Sequence, residues 1–325
     1  MTSGAPKAAA RAPHRPFPIW LTYAFVAAVL WGIWGVLAKG PSRELSGWMT
    51  QVLFTVALIP SAILAARSGK LRDGSNRRRG LAWGFASGLF AGVGDLCFYL
   101  ALQSGADTAI AIPLISLYPL VTLTIAFFCF KERFSWLQGI GITVAVAAIL
   151  LLGSGGESFD QIFASLRHLS LRPWIFYTAA AWICAGVFTA MQKLSTNHIS
   201  AELSFLAWCS AFVVIAAGIV MTQPLKWHMP IGLVSAALGA GMLNGFGVIA
   251  AFAAYRYEGK AAIVAPLTAT VQPLVTVVLA LLFLGEQVGK IQALGIALAI
   301  VAALLLTQER KRDAQPGLVK PPDLN

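Results

Sequence analysis

Asp95 is the one acidic residue well inside an apolar stretch, residues 81–103, of a chain built from such stretches. A carboxylate at membrane depth is costly, so it must pair, take a proton or face water. Its functional reading is proton coupling, or contact with a substrate amine or cation. The alternative is a protonated or hydrogen-bonded contact between helices, because no Lys or Arg lies in the interior of a span to pair with it. Pro119 and Pro273 interrupt two further apolar stretches near their middles. Each removes a backbone N–H and displaces the carbonyl four residues earlier, those of Ile115 and Ala269. Carbonyls freed in this way can line a wet cavity or coordinate a cation; a packing kink is the other possibility. Tyr118 and Gln272 stand just before the two prolines, and Asn244 lies near the middle of another stretch. All three can hydrogen-bond a polar solute or, equally, a neighbouring helix. Trp31, Trp34 and Trp182 offer aromatic walls for a sugar ring, an amino-acid side chain or an aromatic metabolite. Trp20, Trp48, Trp83, Trp136 and Trp174, near the ends of their stretches, read better as interfacial anchors.

These residues need elements to hold them, and composition says which. Of 325 residues 58% are hydrophobic and 11% charged, with a mean hydropathy of +0.75. Soluble domains carry about 25% charged residues, so the chain cannot cover a water-facing surface. Its apolar stretches are long enough to cross a hydrocarbon layer about 30 Å thick. They fall near 19–38, 45–66, 81–103, 108–130, 135–153, 173–193, 201–221, 231–254, 261–284 and 289–307. The expectation is an all-α integral membrane protein with ten transmembrane helices. Placing the amino terminus inside puts 18 of the 24 Lys and Arg residues on that side, the bias of cytoplasmic loops. Both termini are therefore expected in the cytoplasm, the first helix uncleaved, and the protein in the inner (plasma) membrane. The net charge of +11 reflects that topology and calls for no nucleic acid. The Arg77-Arg78-Arg79 run could also attract anionic lipid.

Enzyme classes find little support. The four cysteines, Cys97, Cys129, Cys184 and Cys209, lie in four different stretches, and all four histidines lie in tails or loops. No metal cluster, hydrolytic triad or phosphate-binding loop is legible. No cofactor and no catalytic residue are assigned.

The second half of the chain repeats the first. PLVTLTIAFFCFKE (119–132) answers PLVTVVLALLFLGE (273–286), AIAIP (109–113) answers AIVAP (262–266), and Gly92 and Gly94 answer Gly245 and Gly247. Trp31, Gly35 and Val36 recur as Trp182, Gly186 and Val187, and Glu44–Ser46 as Glu202–Ser204. Asp95 has Val248 as its counterpart. Five helices per repeat is an odd number, so the second copy is expected to cross the membrane upside down. Two inverted five-helix repeats are the basis of alternating access in carriers.

With these motifs the chain resembles the EamA-like branch of the drug/metabolite transporter superfamily, over about residues 19–307. The resemblance rests on the Pro-Leu-Val-Thr helices ending in Glu132 and Glu286, and on the Gln138-x-x-Gly141 and Gln292-x-x-Gly295 starts that follow. It implies a two-repeat carrier whose third, fourth, eighth and ninth helices contribute to a central cavity. Glu132 and Glu286 themselves read better as caps of the following helices, where negative charge is favoured. The glycine pairs read as points of close helix packing. The expected organisation is a disordered cytoplasmic tail (1–17), a first EamA-like repeat (18–153), a connecting loop (154–172), a second repeat (173–307) and a second tail (308–325). The expected function is secondary transport of a small organic metabolite by alternating access, as exporter or exchanger, with Asp95 carrying a proton or contacting a cationic group. Uptake of a neutral sugar-like solute is the alternative within carriers, and a non-transporting scaffold or lipid-handling protein the alternative outside them. Membrane lipid is the expected surrounding partner, and one chain, holding both repeats, is expected to work as a monomer.

Overall fold

In the computed structural model, residues 18–37, 44–104, 115, 117–131, 135–153, 173–284 and 289–306 are described. Glu132 and Glu286, with the AIAIP segment, lie outside them. Apart from an isolated bridge between Gly74 and Ile199, all regular structure among the described residues is helical. The first repeat holds α1 (Ile19–Leu37), α2 (Gly47–Ala57), α3 (Ile59–Ala66), α4 (Arg77–Gln103), α5 (Tyr118–Phe128) and α6 (Trp136–Gly153). The second holds α7 (Pro173–Thr196), α8 (Ala201–Thr222), α9 (Ile231–Arg256), α10 (Ala261–Leu284) and α11 (Lys290–Leu306). Among these residues five helical segments are long and apolar enough to cross a membrane. They are 47–66, taken through a break at Leu58, and 77–101, 173–196, 201–222 and 231–256.

Local chemistry explains several boundaries. Ser46 caps α2 by accepting from Met49 N, and Ser200 caps α8 by accepting from Leu203 N, each satisfying one of the donors a helix start leaves over. Pro60 in the first turn of α3 breaks the run from α2, since its ring cannot continue the preceding helix. Pro119 likewise stands in the first turn of α5, where a missing N–H costs no helical bond. Pro273 differs: it lies inside α10, which runs on across it. The matched mid-span breaks expected from sequence are therefore one helix start and one helix interior.

Each repeat packs chiefly on the other. α1 lies along α9 and α10, while α7 lies along α4 and α5; α6 pairs with α11, and α8 with α4. One pair of bonds shows the correspondence. Thr122 Oγ1 donates to Gly186 O at 3.1 Å and Thr276 Oγ1 donates to Gly32 O at 3.0 Å, so the same sequence shift relates donors and acceptors. Gly32 thus corresponds to Gly186, one turn from the Gly35 that sequence identity suggests. The caps give the same shift for the next helix, pairing Ser46 with Ser200 rather than with Ser204. Both sequence matches are registers displaced by about one turn, which small-residue-rich apolar helices tolerate without loss of identity.

Loops at one end of the bundle are laced together. Ser75 N donates to His198 O at 2.9 Å and Ser200 N to Asp73 O at 3.1 Å. Gly74 has φ +146°, and a side chain there would run into the His198 carbonyl. Lys193 Nζ donates to Gly259 O at 2.8 Å and to Tyr255 O at 3.2 Å, and Arg256 Nη1 donates to Thr196 O at 3.2 Å. The rings of Tyr23 and Tyr257 stack at 5.4 Å. Behind this network every residue from Ala261 to Val271 is buried, so the first half of α10 fills the core at that end.

Candidate functional site

Beyond the buried half of α10 the packing opens into a cavity of about 250 Å³. Its walls come from α1, α2, α4, α5, α7, α8, α9 and α10, with Ile115 just ahead of α5. The helical period selects which residues face it. On α4 they are Ala91, Asp95 and Phe98, with Gly94 beside them, and on α7 Ala181, Ala185 and Phe188; each trio is spaced three and four apart along one face.

The structural register turns this lining into a symmetric set. Trp31 corresponds to Ala185, Trp34 to Phe188, Phe54 to Trp208, and Tyr118 to Gln272; on α4 and α9, Ala91 corresponds to Asn244 and Asp95 to Val248. All twelve line the cavity. The backbone is therefore matched around the site while the chemistry is not. One carboxylate faces a valine, one amide faces an alanine, and a phenol faces an amide.

Of the residues singled out from sequence, Trp31, Trp34, Asp95, Tyr118, Asn244 and Gln272 meet at this cavity. All six are half-buried. Trp182 is not among the lining residues. It follows Ala181 by one position and is turned about 100° away from the stripe that faces the void; its indole nitrogen is buried without a partner among the described residues. Of the two carbonyl-bearing residues tied to the prolines, Ile115 lines the cavity, whereas Ala269 belongs to the buried half of α10 and is 3% exposed. Trp174, expected as an interfacial anchor, is also buried, whereas Trp136 is 74% exposed.

Phe54, Phe98, Phe188 and Trp208 are lining residues that the sequence did not single out. Each is an aromatic at mid-helix in a sequence full of such residues, and only the register shared by the two repeats would have marked Phe54 and Trp208 as partners. Packing fixes several of these rings. Trp208 stacks on Phe205, with centroids at 5.8 Å, and meets Phe212 at a tilt, with centroids at 4.2 Å. Trp31 lies on Gly247, where a Cβ would come within 2.6 Å of the indole nitrogen. The indole N–H groups of Trp31 and Trp208 find no acceptor among the described residues. No group of His, Cys, Asp or Glu among the described residues could hold a metal ion. The arrangement can enclose a small solute between aromatic walls and offer it one carboxylate, two amides and a phenol.

Comparison with known proteins gives this geometry a family. The inner membrane transporter YedA of Escherichia coli K12, itself uncharacterized, is 27% identical over 231 residues, which cover 67% of this chain and 68% of YedA. Its counterpart in strain O157:H7 matches equally. A solved structure described only as the crystal structure of a protein superimposes with a TM-score of 0.66 at 19% identity, over 88% of this chain and 95% of that one. At such identity the likeness speaks for the fold alone. A model of the EamA-like transporter family matches residues 18–154 and again residues 172–308, once on each repeat, and the chain therefore belongs to the EamA-like transporter family.

Proposed function

We propose that this protein is a secondary transporter that carries a small organic metabolite through the central cavity by alternating access, as an exporter or exchanger. The observation that carries the reading is the cavity's position: symmetric residue pairs surround it, and one end is sealed by the buried half of α10 and the Lys193 and Arg256 contacts. Equivalent helices in inverted repeats can exchange roles, so that the sealed end opens as the other closes. The five shorter apolar helices, at 19–34, 118–128, 136–151, 261–276 and 293–306, complete ten crossings in this reading. Five crossings per repeat invert the second copy relative to the first. The bias of Lys and Arg puts both chain ends in the cytoplasm, and the name of the YedA relative supports an inner membrane. The sealed end then faces the cytoplasm. Asp95 carries a proton or meets a cationic group, no enzymatic step is involved, and a single chain forms the pathway.

The test is solute counterflow in proteoliposomes, using labelled amino acids, sugars and amines, with and without an imposed pH gradient. Saturable exchange of one solute class above empty vesicles is expected. Flux no greater than in vesicles without protein, across the whole panel, would remove the transport reading.

A further inference from the structure

We infer that the central cavity selects organic monocations, that is, a protonated or quaternary amine on a small apolar or aromatic body. The inference rests on the transporter reading only for the statement that such a solute crosses; recognition follows from the site itself.

Among the described residues lining the cavity Asp95 is the one that carries a charge, and no Lys, Arg or His accompanies it there. A carboxylate in that setting needs either a proton or a positive partner. No described residue supplies a cation to the void, so the positive partner that ionised Asp95 calls for is one that the solute brings. Around Asp95 the walls are aromatic: Trp31, Trp34 and Phe98 with Phe54, Phe188 and Trp208. The faces of such rings attract cations by about 0.5–1 kcal/mol at exposed sites and ~2 or more when desolvated. They offer nothing comparable to an anion. The same walls suit the apolar body of the solute. The volume, about 250 Å³, is that of roughly eight waters at ~30 Å³ each, so the body is of single-ring size. The geometric mate of the carboxylate is Val248, which makes the charge single. One carboxylate recognises one positive nitrogen, and a dication would leave a charge unpaired in the membrane.

The experiment uses the purified full chain in detergent and in proteoliposomes. Tryptophan fluorescence reports binding of four probes: phenylethylamine, benzyltrimethylammonium, the neutral phenylethanol and the anionic phenylacetate. The two cations are expected to bind at least tenfold more tightly than the other two, and benzyltrimethylammonium, which has no proton to give, separates charge recognition from proton transfer. Asp95→Asn should lose at least tenfold in cation affinity and leave phenylethanol unchanged, while Asp95→Glu retains cation binding. If Asp95→Asn does not fold, as judged by gel filtration and thermal melting, Trp34→Ala should weaken both cations more than phenylethanol. Equal binding of cations and neutral probe, or unaltered cation affinity in Asp95→Asn, overturns the inference. Counterflow of the same probes keeps the two claims apart. Cation binding without flux leaves the selectivity standing and removes transport; flux of a neutral sugar without cation binding does the reverse.

Discussion

Thr276 and Gly32 are joined across 244 positions of chain by a 3.0 Å hydrogen bond, and the glycine makes the bond possible. A Cβ on Gly32 would stand 2.5 Å from the Cβ of Val275 and 3.0 Å from the carbonyl of Gln272. Gly186 meets Val121 and the Tyr118 carbonyl in the same way. Gly32→Ala and Gly186→Ala should each lower stability by ~1–3 kcal/mol, as overpacking does. Thr276→Val, which keeps the volume and removes the bond, should lose only ~0.6 kcal/mol. Thermal melting in detergent measures all three, and an Ala variant at either glycine as stable as wild type would contradict the packing.

Gly247→Ala should act on the site. The atoms it would strike are the Nε1 and Cδ1 of Trp31, at 2.6 and 2.7 Å, part of a rigid ring. The indole must swing off its seat, and because Trp31 lines the cavity the ligand-dependent fluorescence should shift and probe affinity fall several-fold. Gly239→Ala, on the same helix with open space around its Cβ, is the control and should change neither.

The pairing of Asp95 with Val248 predicts that the carboxylate can be moved. Asp95→Val should abolish cation binding, and adding Val248→Asp should restore it to within about tenfold, since both positions line the same void. Titration with benzyltrimethylammonium decides. A double variant that folds yet binds no better than Asp95→Val would mean that position alone, not charge, matters.

Lys193 holds the sealed end through the Tyr255 carbonyl in the last turn of α9 and the Gly259 carbonyl in the turn that leads to α10. Lys193→Met should loosen that end and expose the core of α10. A cysteine placed at Thr268, 3% exposed in the wild type, should then react faster with a membrane-impermeant thiol reagent. An unchanged rate would show that the lysine does not hold the closure.

Lys70 at the same end is bonded to the Tyr257 hydroxyl at 3.2 Å, and this bond raises its pKa above the ordinary lysine value. A raised pKa in a cation means that its contribution is complete below the unfolded value and fades only as pH climbs through the folded one. Lys70→Met should therefore leave the shape of any transport profile between pH 5 and pH 8 unaltered. A profile whose midpoint moves in that variant would refute the assignment.

Much of this was legible beforehand because apolar periodicity and repetition are strong signals. The glycine matches Gly92–Gly245 and Gly94–Gly247 and the Pro-Leu-Val-Thr match carry the true register, since their small or rigid residues sit where helices touch. The Trp31–Trp182 and Glu44–Glu202 matches do not. In α1 and α7 the contact that constrains the backbone is Gly32 or Gly186 against the facing helix, and a tryptophan one turn away is free to differ. That displacement is why Trp182 looked like a site residue and Phe188 did not. Phe54 and Trp208 were hidden for another reason: an aromatic at mid-helix can face lipid, core or void, and only three-dimensional packing chooses.

The lone valine opposite Asp95 bears on why both halves reside in one polypeptide. A dimer of the first half alone would confront two carboxylates across a single small void, repelling one another; a dimer of the second half would have none. Joining unlike halves is what permits an odd number of charges in a two-fold frame.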